Sequence, residues 1–296
     1  MPKEVQVYQA NPLIESRRDF SLTESRLFYL GLRDVVPKLT NKETPWQGNA
    51  QQDFPVTVIP AKELVAMFGN DKYYNTLQGI CETLAEKTIK VRRTDKKGFS
   101  VYPVFAELTY TIDEGLKLEF NSKMKPLLLD LTNRAFTKLP FEQIWALRSS
   151  HAIRILELVL QYQNTKTHER TITIEELKHY LGMEQDSYKG RNNTFKEKVV
   201  MGSVNDINQK TAYKIEVETI SEGRRMAGFK FKLYLPAEIK KEERAKQIKD
   251  IGKITNDLAN NASMEPKPEP PPIDEEKRAK GKKVVANFLN NLKGMK

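Results

Sequence analysis

Apolar residues recur at helical spacing in three stretches of the first half of the chain. A capping box, Ser21 with Glu24 three positions later, starts the first stretch, and Pro60 opens the second, which stops at Gly69. The apolar positions are Leu27, Leu30, Leu32 and Val35, then Leu64 and Phe68, then Tyr73, Leu77, Ile80 and Leu84. Because residues three and four apart share one face of a helix, each stretch predicts a helix with one buried stripe. The first helix is expected to end near Pro37.

Alternating segments around these helices predict short strands. The candidates are 54–59, a hairpin of 89–91 with 101–104, and a pair formed by 110–112 and 116–118. Residues 1–20 are polar, and we expect an extended arm there. Residues 38–53 are expected to form a polar loop.

The same order of elements returns in the second half. A long helix is predicted over 140–161, and a second capping box, Thr173 with Glu176, starts a helix that stops at Gly182. A third helix is predicted from 191 to about 208. A two-stranded ribbon then closes the second half, with strands at 213–220 and 229–235 and a tip at 221–225.

The two halves are related by a constant offset. Leu177 lies 113 positions after Leu64, and the helix-stopping Gly182 lies 113 positions after Gly69. An ordered series of three helices and a β-ribbon, present twice, predicts an α+β protein with tandem winged-helix domains.

The composition changes after the second ribbon. Residues 264–273 carry five prolines, which predicts a flexible linker. We therefore divide the chain into an arm (1–20), a first winged-helix domain (21–135), a second winged-helix domain (136–236), a charged helix with the Pro-rich linker (237–273) and a basic amphipathic C-terminal helix (274–296).

Charge points to a polyanionic partner. The 49 lysines and arginines outnumber the 39 acidic residues, which gives a net charge of +10 and favours nucleic acid over a membrane surface. The single cysteine, Cys81, excludes a disulfide framework and fits a reducing compartment. With no apolar run of membrane length and no secretory signal, a cytoplasmic protein is expected.

Motifs for catalysis are missing. The sequence has no Cys/His zinc spacing, no His-x-His pair of the kind that binds a nicking enzyme's metal, and no P-loop. We therefore expect a binding protein that is not an enzyme and uses no cofactor and no metal. An endonuclease or primase is disfavoured on the same grounds.

The third helix of a winged helix normally lies in the major groove, so its polar residues are the candidate DNA contacts. In the second unit these are Lys189, Arg191, Asn192, Asn193, Thr194, Lys196 and Lys198. Arg191 is suited to guanine and the asparagines to adenine, whereas the lysines are suited to phosphates. The alternative is a solvated basic helix face without a ligand.

The ribbons, or wings, supply further candidates. Arg224 and Arg225 at the second tip are placed to enter a minor groove. The first unit offers Asn75 and Gln78 on its third helix and a basic wing with Arg92, Arg93, Lys96 and Lys97. Phosphate contact by that wing is expected. Base contact by its helix stays open.

The C-terminal helix combines an apolar stripe with seven basic residues and no acidic one between 277 and 296. Phe288, Leu289 and Leu292 are candidate contacts to a groove on a partner protein. An electrostatic DNA tether and an ordinary helix that folds back on the body are the alternatives.

Several of these stretches together resemble one family, the replication initiator (Rep) proteins of theta-replicating, iteron-bearing plasmids. The resemblance covers roughly residues 15–236, and the tail is similar to that of initiators of the lactococcal, Gram-positive type. The stretches are Ser21–Val35, Pro60–Leu64, Trp145–Leu158, Thr173–Leu181, Tyr188, Phe195–Val200, Asp206–Asn208, Thr211 and Gly223–Arg225.

The resemblance implies a function. Such a protein binds tandem origin repeats as a monomer, helps to open an AT-rich segment and recruits the host initiator and helicase. A homodimer, in equilibrium with the monomer and formed through the first domain, binds the operator of its own promoter and represses its gene. The rival interpretation is a tandem winged-helix transcriptional repressor without initiator activity.

Overall fold

Two sets of helices and strands follow each other along the chain in the predicted order, which confirms an α+β protein with tandem winged-helix domains. The computed structural model describes residues 5–39, 53–69, 73–92, 97–132, 134–241, 244 and 248. Both winged-helix units belong to one compact body that ends at Lys240. In this described part, every helix is too short or too polar to cross a membrane.

The first half contains two sheets and five helices within the described residues. Its strands are β1 (Gln6–Ala10), β2 (Thr57–Ile59), β3 (Thr88–Arg92), β4 (Phe99–Pro103), β5 (Phe105–Thr111) and β6 (Gly115–Phe120). Its helices are α1 (Asn11–Ile14), α2 (Leu22–Arg33), α3 (Ala61–Phe68), α4 (Tyr74–Glu86) and α5 (Lys125–Leu128), the last preceded by a 3-10 turn at Ser122–Met124. The antiparallel order is β2-β6-β5, and β3 with β4 forms the first wing.

The second half repeats the series of helices followed by a wing and has four strands within the described residues. Its elements are β7 (Phe136–Pro140), α6 (Phe141–Trp145), α7 (Ser150–Leu160), β8 (Glu169–Thr173), α8 (Ile174–Tyr180), α9 (Asn192–Phe195), a π-helical turn (Lys196–Met201), α10 (Gly202–Lys210), β9 (Lys214–Glu222) and β10 (Arg225–Tyr234). The sheet order is β8-β10-β9, so β8 covers the inner edge of the second wing.

Both predicted capping boxes are present and set the starts of α2 and α8. The Ser21 hydroxyl accepts from the Glu24 amide at 3.2 Å, and the Glu24 carboxylate accepts from the Ser21 amide at 2.7 Å. Thr173 and Glu176 make the same reciprocal pair. Each pair satisfies two amides that have no partner inside the helix.

Three local predictions differ from the structure. Helix α2 ends at Arg33 rather than near Pro37. The single helix predicted over 140–161 is two helices, because the Ser149 hydroxyl accepts from the Ala152 amide and caps a new start. Strand β8 was not predicted, since its five residues, Glu169–Thr173, immediately precede the capping box and carry few apolar positions.

The expected N-terminal arm is wrong over residues 6–14. Strand β1 pairs antiparallel with β7, with Val7 opposite Leu139, and α1 buries Leu13 and Ile14 completely. The alternation of this strand is not visible in the sequence, because one of its buried positions is the polar residue Gln9. Gln9 is fully buried, and its side-chain amide donates to the Tyr29 hydroxyl at 3.1 Å.

Helix α7 is enclosed on all sides, because the N-terminal segment packs over a face that an isolated winged helix would expose. At its centre the fully buried Glu157 accepts hydrogen bonds from Arg18, Tyr29 and Arg154. Arg18 and Tyr29 belong to the first half of the chain, whereas Arg154 and Glu157 belong to α7. One carboxylate therefore joins the two winged-helix units.

Arg154 extends this buried cluster to backbone oxygens on both sides. Its guanidinium donates to the carbonyls of Ile14 at 2.7 Å, Ser16 at 2.8 Å and Tyr180 at 3.0 Å. Burial, and then the charge of Arg18, lower the pKa of Arg154 to about 10. The side chain is still a cation at neutral pH, and Glu157 opposes the shift.

A close backbone contact lies beside the cluster. Gly182 has a φ of +74°, and a Cβ atom there would lie 2.5 Å from the Arg18 carbonyl oxygen and from the Asp19 Cα. The Gly182 carbonyl also accepts from the Arg17 guanidinium at 3.2 Å. Its counterpart Gly69, with a φ of +76°, has no heavy atom of the described residues within 4 Å of the same position.

Replacing the buried carboxylate should strongly destabilise the protein. In Glu157→Gln, Arg18 and Arg154 keep their charges without a counterion, which costs about 3–5 kcal/mol in the free energy of unfolding. Urea unfolding measures the loss. The control is Glu184→Ala, which removes a surface pair with Arg17 and should cost about 1 kcal/mol or less. Equal losses in the two variants would contradict the role given to the buried cluster.

The two helix-stopping glycines should respond differently to alanine. Gly69→Ala introduces only the left-handed backbone cost of about 1–2 kcal/mol. Gly182→Ala adds a steric clash with the N-terminal segment and should lose about 1–3 kcal/mol more. Thermal unfolding of both variants gives the difference, and losses that match within error would show that the contact with Arg18 and Asp19 is unimportant.

Candidate nucleic-acid interface

The third helix of the second unit runs without a break through α9, the π-helical turn and α10. Its inward side is apolar and buried, and consists of Phe195, Val199, Val200, Val204 and Ile207. The prediction that Phe195 and Val199 face the core is confirmed. A π turn holds more residues than an α turn, which brings both adjacent valines, Val199 and Val200, onto the core side.

The outward side of this helix carries most of the predicted base contacts. Arg191, Asn193 and Lys198 are exposed, whereas Asn192, Thr194 and Lys196 are half-buried. The Arg191 guanidinium lies 5.8 Å from the centroid of the Tyr188 ring, which holds it over the start of the helix. Asn205 and Gln209 are exposed further along and were not among the predicted contacts.

The exposed Lys189 lies in the turn before this helix. Its ammonium is 3.1 Å from the Asp186 carboxylate. An exposed pair of this kind is weak, so it leaves the ammonium available to a phosphate.

Charges along the second wing are largely paired. Lys230 contacts Glu169 at 3.1 Å, and Lys214 contacts Glu216 at 3.0 Å. Hydrogen bonds from Tyr234 and then Lys214 lower the pKa of the Glu216 carboxyl below its ordinary value, so it is ionised at neutral pH. The body of the ribbon is therefore nearly balanced in charge.

The tip of the second wing is different. Arg224 and Arg225 are exposed beside Gly223, whose φ is +63°. Within the part of the chain that the structure describes, neither arginine forms an ion pair. The unpaired positive charge at the tip of the wing is thus that of the two arginines that the sequence analysis predicted there.

The first unit presents a less basic helix. Asn75 and Gln78 are exposed on α4 as predicted, and the Gln78 amide donates to Glu82 at 2.9 Å. Residues 74–86 contain no lysine or arginine. Gln78 also lines an apolar cavity of about 350 Å³ between α4 and β5, together with Tyr74, Leu77, Cys81, Glu82, Ala85, Leu108 and Tyr110.

The cysteine in this cavity is not a reactive thiol. Burial, and then the nearby Glu82, raise the pKa of Cys81 to about 11, so it is protonated at neutral pH. It acts as a small packing residue.

The first wing is described only near its base. Lys97 is exposed, and the Lys90 ammonium lies 3.9 Å from the centroid of the Phe99 ring. Arg93 and Lys96, the side chain of Arg92, and the C-terminal Phe288, Leu289 and Leu292 lie outside the described residues. The predictions for these residues stay predictions.

Across the residues that the structure describes, no three His, Cys, Asp or Glu side chains are placed to hold a metal ion. The strongest ionic cluster, around Glu157, is buried and bridges the two units. Sequence spacing gave no indication of this cluster, because its members lie up to 139 positions apart.

Two exposed third helices, each followed by a β-ribbon wing, define a tandem winged-helix protein with the architecture of DNA-binding domains. Two family descriptions match the chain: "Initiator Replication protein, WH1" over residues 6–160 and "Initiator Rep protein, WH2" over residues 173–233. The chain belongs to this family of initiator Rep proteins. The first match includes β1 and α7 and so extends beyond both predicted limits of the first domain.

A solved structure has the same fold. It is the Pi initiator protein in complex with iteron DNA. The two protein sequences are 20% identical, the TM-score is 0.62, and the match covers 79% of this chain and 99% of that chain. At this identity the similarity establishes the architecture. A comparison with curated protein sequences gave no match.

Proposed function

We propose that this chain is a plasmid replication initiator that binds directly repeated origin sites, or iterons, in double-stranded DNA and performs no catalysis. Family membership and the iteron complex of the structural neighbour support this proposal. The observation that carries it is the outward side of the second unit's third helix, where Arg191, Asn193 and Lys198 are exposed.

In this proposal, the second unit reads sequence through its third helix in the major groove. Arg191 donates two hydrogen bonds to a guanine, and Asn193 pairs with an adenine. Lys189, Lys196 and Lys198 contact phosphates and set the register. Arg224 and Arg225 reach an adjacent minor groove, because their charges are not neutralised by carboxylates of the wing.

The first unit occupies the neighbouring part of the repeat. Its basic wing binds phosphates, with Lys97 as the exposed cation at the described base of the loop. Helix α4 contains no lysine or arginine. Any contact that Asn75 and Gln78 make to DNA is therefore a hydrogen bond to a base. Base-specific contacts are therefore expected to come mainly from the second unit.

Later steps form the finer part of the proposal. Bound monomers help to open the origin and recruit the host initiator and helicase, with the C-terminal helix as the docking peptide. A dimer represses the chain's own promoter. The competing function, a repressor without initiator activity, has the same DNA contacts, so an origin-opening assay on supercoiled DNA separates the two.

Specific binding should survive physiological salt. We expect purified protein to prefer a duplex of the direct repeats that flank its gene over a scrambled duplex of equal length by about a thousandfold or more. A fluorescence-anisotropy titration across a salt series measures this ratio. Equal binding to both duplexes, lost together as salt rises, would contradict the proposal.

Two substitutions on the third helix should weaken binding in different ways. Arg191→Ala should cost about 1–3 kcal/mol and relax the preference at one base pair. Lys198→Ala should weaken binding to all sequences alike and reduce the slope of log K against log salt by about one. Titrations against a set of single-base repeat variants separate these outcomes.

The matched control for both substitutions is Lys166→Ala. It removes one exposed positive charge from the segment between α7 and β8, outside the third helices and wings. Its binding should equal that of the wild-type protein. If the Arg191→Ala and Lys198→Ala variants also bind with wild-type affinity, the third helix of the second unit does not recognise the repeat sequence.

A further inference from the structure

Three glycines lie inside the described helices: Gly31 in α2, Gly79 in α4 and Gly202 in the third helix of the second unit. Glycine inside a helix destabilises it relative to alanine, because the unfolded chain gains conformational freedom. The presence of glycine at each of these positions therefore needs a structural or functional explanation. All three have ordinary helical φ values, so a left-handed backbone is not that reason.

Gly31 is explained by packing within the protein. A Cβ atom at this position would lie 3.0 Å from Cε2 of Phe120 and 3.1 Å from its Cζ atom. The ring occupies the space that a larger residue would need. Glycine here allows α2 to approach β6.

Gly79 and Gly202 have no such neighbour. Among the described residues, a Cβ atom at Gly79 would have no heavy atom within 4 Å, and one at Gly202 would meet only the Glu197 carbonyl oxygen, at 3.9 Å. Both positions are exposed. Nothing in the described part of the chain requires glycine at either position.

The two unexplained glycines occupy equivalent surfaces. Each lies on the third helix of its winged-helix unit, in a row of exposed residues at spacings of four, three and four. The rows are Asn75, Gly79, Glu82 and Glu86 on α4, and Lys198, Gly202, Asn205 and Gln209 on the other helix. The buried residues of the two helices, such as Leu77 and Val204, lie on the opposite side. Both glycines thus face outward at the centre of a polar row.

We propose that bound DNA reaches van der Waals contact with the helix backbone at Gly202 and Gly79, so that these glycines set how deeply each third helix enters its groove. The proposal rests on iteron binding as the function of the chain. A methyl group at either position would hold the base edges away from the neighbouring side chains. On α4, Glu82 and Glu86 repel phosphates. The part of the DNA that contacts α4 is therefore a base edge with an amino donor, such as that of cytosine or adenine.

Alanine at these positions should separate stability from binding. Gly202→Ala and Gly79→Ala should raise the midpoint of thermal unfolding by about 1–4 °C, because alanine favours the helix in both cases. Affinity for the repeat duplex should nevertheless fall at least tenfold. Gly202→Leu and Gly79→Leu should bind more weakly still, because the obstruction grows with the side chain.

Gly31→Ala is the matched control, with the opposite expectation. It should lower the unfolding midpoint, because its Cβ meets the Phe120 ring, and should leave the affinity of the folded protein unchanged. A stabilised Gly202→Ala or Gly79→Ala variant with wild-type affinity would overturn the proposal for that helix. A wild-type protein that does not distinguish repeat from scrambled duplex would instead contradict the proposed function.

Discussion

The arrangement of the molecule depends on one buried carboxylate. Two arginines and a tyrosine meet at Glu157, and taking three charges out of water is tolerated only because each has its partner in place. Burial, and then Glu157, raise the pKa of the Tyr29 hydroxyl well above its ordinary value, so it stays a donor. Any motion that separated the N-terminal segment from α7 would expose this cluster or leave it incomplete.

This constraint bears on how the third helices of the two winged-helix units are related. The N-terminal segment is held to the first unit by the hydrogen bond from Gln9 to Tyr29, and to the second unit by the β1–β7 pairing, Arg154 and Gly182. The two third helices are therefore carried by one connected core rather than by two bodies on a linker. Under the proposed function, such a body fits a repeat with a fixed spacing between its two contacted segments.

Much of this fold follows from local sequence signals. Some features depend on interactions within a few residues, so the sequence predicts them well. They are the capping boxes at Ser21 and Thr173, the helix stops at Gly69 and Gly182, and the alternating ribbons. The buried ionic cluster is not predictable in this way, because Arg18 and Glu157 meet only through tertiary packing. At the candidate interface, type and spacing predict Arg191 and Lys198 as contacts, and both side chains are exposed. The sequence did not separate paired from unpaired wing cations, which depends on which carboxylates lie across the sheet.

The distance along the chain between the two halves of the buried cluster has a consequence for synthesis. Arg18 leaves the ribosome 139 residues before Glu157. At about 5–20 residues per second this interval lasts roughly 7–30 s. For all of that time Arg18 lacks its counterion Glu157, and for most of it β1 also lacks its strand partner β7. The nascent first unit therefore stays open at its N-terminal edge until α7 is made, and the earliest-made residues then pack onto a helix from the middle of the chain.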